Sequence, residues 1–165
     1  MSKTKDNLMT AFAGESQANR KYLAYAKKAE EEGYTQVARL FRAAAHAETV
    51  HALAEFREAG CIGSTAENLK AAAAGEHYEA FDMYPPFQEQ AEAEGERKAA
   101  TIFRWAKEAE KVHEDLYREA LETLGKDEEE FDYYVCPVCG YTHKKSAPDK
   151  CPICGAPASR FEVIH

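Results

Sequence analysis

A chain of 165 residues has room for one good core, or for one core and a small satellite. Its charged share of 30% and net charge of −8 argue against nucleic acid as a partner. No apolar run approaches the roughly 20 residues of a membrane span, and the start, MSKTKDNLMTAF, lacks the apolar core of a secretory signal, so the expectation is no membrane partner and a cytoplasmic location.

Residues 4–32 read as a long helix. Leu8, Phe12, Glu15, Asn19 and Tyr22 recur at alternating spacings of four and three, and Gly33 ends the run. Thr35 is the expected N-cap of a second helix to about Ala59, closed by Gly60. Its apolar stripe is Val37, Leu40, Phe41 and Ala44, and the next positions on that stripe are Glu48 and His51. At 100° per residue Glu48 lies about 20° from the Val37 direction and His51 about 40° to the other side. A buried carboxylate without a partner costs several kcal/mol or more. Either the stripe turns away from the core or something positive sits inside.

Ser64-Thr65-Ala66-Glu67 is a capping box that opens a third helix over about 65–94. Its inward candidates are Leu69, Ala72, Glu76 or Glu79, and Met83; Pro85-Pro86 predicts a kink or short break. Gly95 ends it, and a fourth helix runs from about 97 to 124, closed by Gly125. Four long helices with short connections predict a bundle over residues 1–125. Residues 126–132 form a short acidic linker, and beyond it the helical period disappears. Residues 133–165 hold four of the five cysteines and are too few to fold on an apolar core alone, so they need a metal. The fifth, Cys61, reads as an ordinary thiol after a helix end.

The helical part is an internal repeat. ARLFRAAAHAETVH at 38–51 and ATIFRWAKEAEKVH at 100–113 are identical at eight of fourteen positions, at an offset of 62. The repeated unit carries Glu48-x-x-His51 and Glu110-x-x-His113. A lone Glu-x-x-His is most often a solvated helix face. Two copies, each on a core stripe and each preceded one helix earlier by an inward acid, are hard to reach by accident. Glu15 lies 33 residues before Glu48, and Glu79 lies 31 before Glu110. One Glu from each of two helices plus Glu-x-x-His from each of the other two is the ligand set of carboxylate-bridged dinuclear metal bundles. Two divalent cations balance four carboxylates, and mixed imidazole and carboxylate donors suit iron or manganese. Glu76 and Asp82 flank Glu79 at three residues on either side, positions more often at the surface. Tyr22, two turns on from Glu15, is placed to reach the second layer of such a site.

Cys136-Pro-Val-Cys139-Gly140 and Cys151-Pro-Ile-Cys154-Gly155 are two knuckles that can present four thiolates to one tetrahedral ion. Spacing alone leaves zinc and iron open. Zinc would be structural; iron would make the module a one-electron carrier, and a neighbouring redox centre favours iron.

These motifs, in this order, resemble the rubrerythrin family over nearly the whole chain: Phe12-Ala13-Gly14-Glu15-Ser16-Gln17, Ala47-Glu48-Thr49-Val50-His51, Gly75-Glu76-His77-Tyr78-Glu79, Met83-Tyr84-Pro85, Ala109-Glu110-Lys111-Val112-His113 and the two knuckles. The resemblance implies a mainly α chain, a ferritin-like four-helix bundle followed by a rubredoxin-like domain of short strands and loops over 133–165. It implies two irons at Glu15, Glu48, His51, Glu79, Asp82, Glu110 and His113, with Tyr22 beside them, and a third iron at Cys136, Cys139, Cys151 and Cys154, where zinc can substitute. In the family the position of Asp82 usually carries Glu, and that carboxylate exchanges with the second-helix histidine, here His51, as one iron changes oxidation state. The implied activity is a cytoplasmic peroxidase of oxidative-stress defence. It reduces hydrogen peroxide to water, with electrons from NAD(P)H through a reductase or rubredoxin and then the FeS₄ centre. The family also suggests an antiparallel homodimer that sets this centre against the partner's dinuclear site. The rival readings are a ferroxidase or iron-storage protein with a structural zinc Cys₄ module, and a metal-stabilised interaction protein without activity.

Overall fold

The computed structural model describes residues 2–126 and 130–165. Residues 127–129 of the expected acidic linker lie outside the described residues. The chain divides into two compact units, Met1–Gly63 and Ser64–His165.

The first unit is a helical hairpin of α1 (Lys3–Glu31) and α2 (Thr35–Glu58). Ser2 caps α1, its hydroxyl accepting from the Lys5 N–H at 3.3 Å. Gly33, at φ 83°, makes the left-handed turn that sends the chain back. Thr35 is the first helical residue rather than the cap, and the side chain of Tyr34 makes no capping bond. Ala38, Ala45 and Ala52 of α2 recur every seven residues and are buried, so the backbones approach closely. Asn19 fixes the register, donating from Nδ2 to the Ala45 carbonyl at 2.6 Å and to Thr49 Oγ1 at 2.8 Å.

The second unit begins with α3 (Thr65–Tyr78), whose Ser64–Glu67 capping box forms as the sequence predicts. A π-helical turn, Glu79–Met83, follows, and then α4 (Tyr84–Ala93). The expected break is thus a widened turn. Pro85 and Pro86 occupy the first turn of α4, where no N–H is needed, and the Tyr84 N–H reaches back to the Glu79 carbonyl, five residues away. α5 (Arg97–Thr123) packs against α3, α4 and the cysteine module. That module is a three-stranded antiparallel sheet of β1 (Tyr133–Val135), β2 (Thr142–Lys144) and β3 (Glu162–Ile164), in the order β2-β1-β3. Val135 pairs with Thr142, and Tyr134 with Val163.

Among the described residues the fully buried positions are alanines, Cys136, Cys151 and Glu114. Bulky apolar side chains stay partly open. No helix among the described residues is long and apolar enough to cross a membrane.

Candidate metal centres

In the first unit α1 delivers Glu15 and α2 delivers Glu48 and His51, with one donor atom of each within 4.8 Å of the others. His51 Nδ1 lies 3.1 Å from Glu48 Oε2. The hydrogen bond with Glu48 holds the Glu15 carboxyl above the usual carboxylate range, while that bond and His51 hold Glu48 below it. The two acids lie together where a cation would satisfy both.

In the second unit the cluster is Glu76 of α3 with Glu110 and His113 of α5, again within 4.8 Å. His113 Nδ1 is 2.6 Å from Glu110 Oε2, and that bond raises the imidazole's pKa against the effect of burial. Burial and the neighbouring Glu110 push Glu76 up to about 7. The same two causes raise Glu79. Burial, then Glu110 and the other acids, raise Tyr84, and burial, then Glu76 and Glu110, raise Tyr117. Each cluster is therefore two carboxylates and an imidazole with donor atoms within 4.8 Å of one another. That donor set fits one iron or manganese ion per cluster.

The structure brings Glu15, Glu48 and His51 together, and Glu110 with His113. The acid that joins the latter pair is Glu76, a position the sequence reading treats as the less favoured of two. Glu79 stands next to this cluster. Asp82 is exposed and outside both clusters among the described residues. The i→i+5 turn advances each residue by less than an α-helical step, so the third residue after Glu79 does not return to its face. The Tyr22 ring packs with Tyr25 and Phe41, centroids 6.3 and 6.2 Å away. Tyr84, the residue 62 positions after Tyr22, is raised first by burial and then by Glu110, which places it beside the second cluster; the repeat carries that signal.

The four cysteine sulfurs also fall within 4.8 Å of one another. Cys136 and Cys154 are 3.5 Å apart, Cys139 and Cys151 3.4 Å. These are not disulfides, which need about 2.05 Å; they approach the ~3.8 Å edge of a tetrahedron with 2.3 Å metal–sulfur bonds. Burial and the neighbouring sulfurs raise Cys139 and Cys154, although backbone N–H groups oppose this. Burial also works against the Cys151 thiolate, but the N–H groups of Cys154 and Ile153 outweigh it and lower the pKa. Four sulfurs at this spacing, one of them with its pKa lowered, fit a tetrahedral cation.

This module abuts the second cluster of its own chain. Gly140, directly after Cys139, places its carbonyl oxygen 3.1 Å from His113 Nε2, and Thr142 Oγ1 is 3.0 Å from the same nitrogen. Gly140, at φ 82°, lies over the small Ala109: a Cβ on it would sit 3.9 Å from the Ala109 Cβ.

Residues 6–121 match the family model for rubrerythrin, and residues 134–162 match that for the rubredoxin-like domain of rubrerythrin. Nigerythrin from Nitratidesulfovibrio vulgaris is 42% identical over 172 residues, covering 96% of this chain and 85% of that protein. Rubrerythrin from Porphyromonas gingivalis is 42% identical over 182 residues, covering 99% and 90%. The solved structure of the fully reduced, all-ferrous state of nigerythrin is similar at a TM-score of 0.61 and 39% identity, covering 99% of this chain and 88% of that one. With both family models matched in order and relatives above 30% identity along nearly its full length, the chain belongs to the rubrerythrin family.

Proposed function

We propose that this chain is a non-haem di-iron peroxidase. Glu15, Glu48, His51, Glu76, Glu110 and His113 are its donors, with Glu79 in reach. When bound, the irons supply Lewis acidity and two electrons, so that one hydrogen peroxide, two electrons and two protons become two waters. The residues manage the protons. Glu79, beside the donors, has a carboxyl raised first by burial, so it is placed to hold and release a proton at the site. The Tyr84 and Tyr117 hydroxyls stay protonated and can donate hydrogen bonds.

One observation carries the reading. His113 presents Nδ1 to Glu110 and Nε2 to the Gly140 carbonyl, one residue from a cysteine ligand. A purely structural zinc knuckle gains nothing from a ligand histidine against it, whereas a one-electron FeS₄ centre gains a short bonded route to the site it serves. Electrons then run from NAD(P)H through a reductase or rubredoxin to this module, two single transfers per peroxide. The test is metal content with visible spectra. Two irons in the helices, one in the Cys₄ module, and an FeS₄ band bleached by reductant and restored by peroxide are expected. A colourless zinc Cys₄ site without peroxide turnover overturns the proposal.

A further inference from the structure

Glu114 is the one buried charged residue among the described residues, 7% exposed, and it directly follows His113. Its carboxylate accepts from His77 Nδ1, at 3.1 Å to Oε1 and 3.2 Å to Oε2. It also accepts from Arg118, Nε at 2.8 Å and Nη2 at 2.5 Å. His77 in turn directly follows Glu76, and its ring packs 4.7 Å from that of Phe81 in the π-helical turn. One bonded group therefore joins α3 to α5 at the residues next to Glu76 and His113.

Packing alone does not require a charge there. The repeat-equivalent position in α2 is Ala52, buried in the first unit's hairpin. A buried carboxylate stays costly even when paired, and a well-packed apolar residue is commonly more stabilising. What the carboxylate adds is register, because a directional bond across two helices forbids sliding that an alanine contact permits. Register matters at this level, since α3 gives way to the π turn at Glu79, two residues beyond His77.

We propose that Glu114 is a positioning residue. Held in one rotamer by Arg118, it clamps His77 and so sets the height of α3 on α5 at which Glu76 meets Glu110 and His113. The inference rests on the dinuclear reading above and adds residues that the ligand set does not include.

The decisive variant is Glu114→Leu in the full chain, titrated with cobalt(II) and followed by its visible bands. His77 and Arg118 are half exposed, so the substitution strands no buried charge. Binding of one of the two helical ions is expected to weaken about 10- to 100-fold, the other to stay unchanged, and the metal-free melting temperature to hold or rise. Glu114→Gln, which keeps an acceptor, should recover most of the affinity. A merely structural role predicts the reverse, a lower melting temperature with cobalt affinity intact, and that result overturns the clamp. Amide spectra of the metal-free chain give a second readout. Glu76 and Tyr84 signals should shift or broaden in Glu114→Leu, and unchanged signals also overturn the clamp. If the wild-type helices bind no pair of cobalt ions, the dinuclear reading fails while the amide spectra still judge the clamp.

Discussion

Glu76 is a carboxyl whose folded environment favours the proton. In the unfolded chain it titrates near 4.5, in the folded metal-free chain at about 7, because of burial first and Glu110 second. A group raised in this way contributes stability below its unfolded pKa and loses it as pH rises through the folded one. Glu15 and Glu79 are raised as well and act in the same direction. The melting temperature of the chelator-treated chain is therefore expected to fall between about pH 5 and about pH 8. Glu76→Gln should flatten that slope, as melts followed by circular dichroism would check. Metal reverses the sign, since a ligand carboxyl must lose its proton to bind. Affinity should rise with pH across the same window, and Glu76→Gln should remove much of that rise. A flat stability profile in the wild type would show that Glu76 keeps an ordinary carboxyl.

At the scale of elements, the helices, their glycine ends, the Ser64 capping box and the four cysteine ligands are legible in the sequence, because periodicity, caps and ligand spacing are local signals. The π turn is not. It lengthens one turn, so Glu15 and Tyr22 are seven apart whereas Glu76 and Tyr84 are eight apart, and a regular helical wheel then selects Glu79 over Glu76. The His77–Glu114–Arg118 bonds join two helices at residues 37 apart, a distance at which spacing carries no information. The cysteine module is legible for the opposite reason. Its fully buried side chains among the described residues are Cys136 and Cys151, so a metal ion held by the cysteines would stand in for its core. Cys136→Ser should melt the sheet of β1, β2 and β3 while the helical dichroism persists. The module is also tied down by β2, whose Thr142 and Lys144 point to one side. Thr142 meets His113, and Lys144 Nζ meets Glu119 at 2.5 Å. That ion pair is partly exposed and contributes at most about 1 kcal/mol. Lys144→Ala should slow peroxide-driven reoxidation of the FeS₄ centre roughly two- to five-fold at low salt, and less at high salt, where the pair is screened. Equal rates at all salt concentrations would remove Lys144 from the docking.

At the scale of the whole molecule, the repeat leaves the same mark twice. Leu40 and Ile102 lie 62 residues apart, each eleven residues before a candidate ligand histidine, and are 66% and 60% exposed. Among the described residues the helices of each unit bring together one cluster of two acids and a histidine, and bulky apolar side chains on those helices are uncovered. Three such donors hold one cation, whereas a carboxylate-bridged pair draws on six. Apolar faces of this extent mark an association surface, and a second copy of this chain would carry faces with the complementary donors. We therefore expect a homodimer with a scattering mass near 2 × 18.4 = 36.8 kDa. Leu40→Lys and Ile102→Lys should each lower association and metal loading together, because a second copy that covers these faces would also complete the site. Each substitution places a charge where the chain alone leaves the residue mostly open, so secondary structure should survive, and dichroism checks that it does. A wild-type chain that sediments as a monomer while binding a full pair of irons would refute the dimer and require the six donors to close without a second copy.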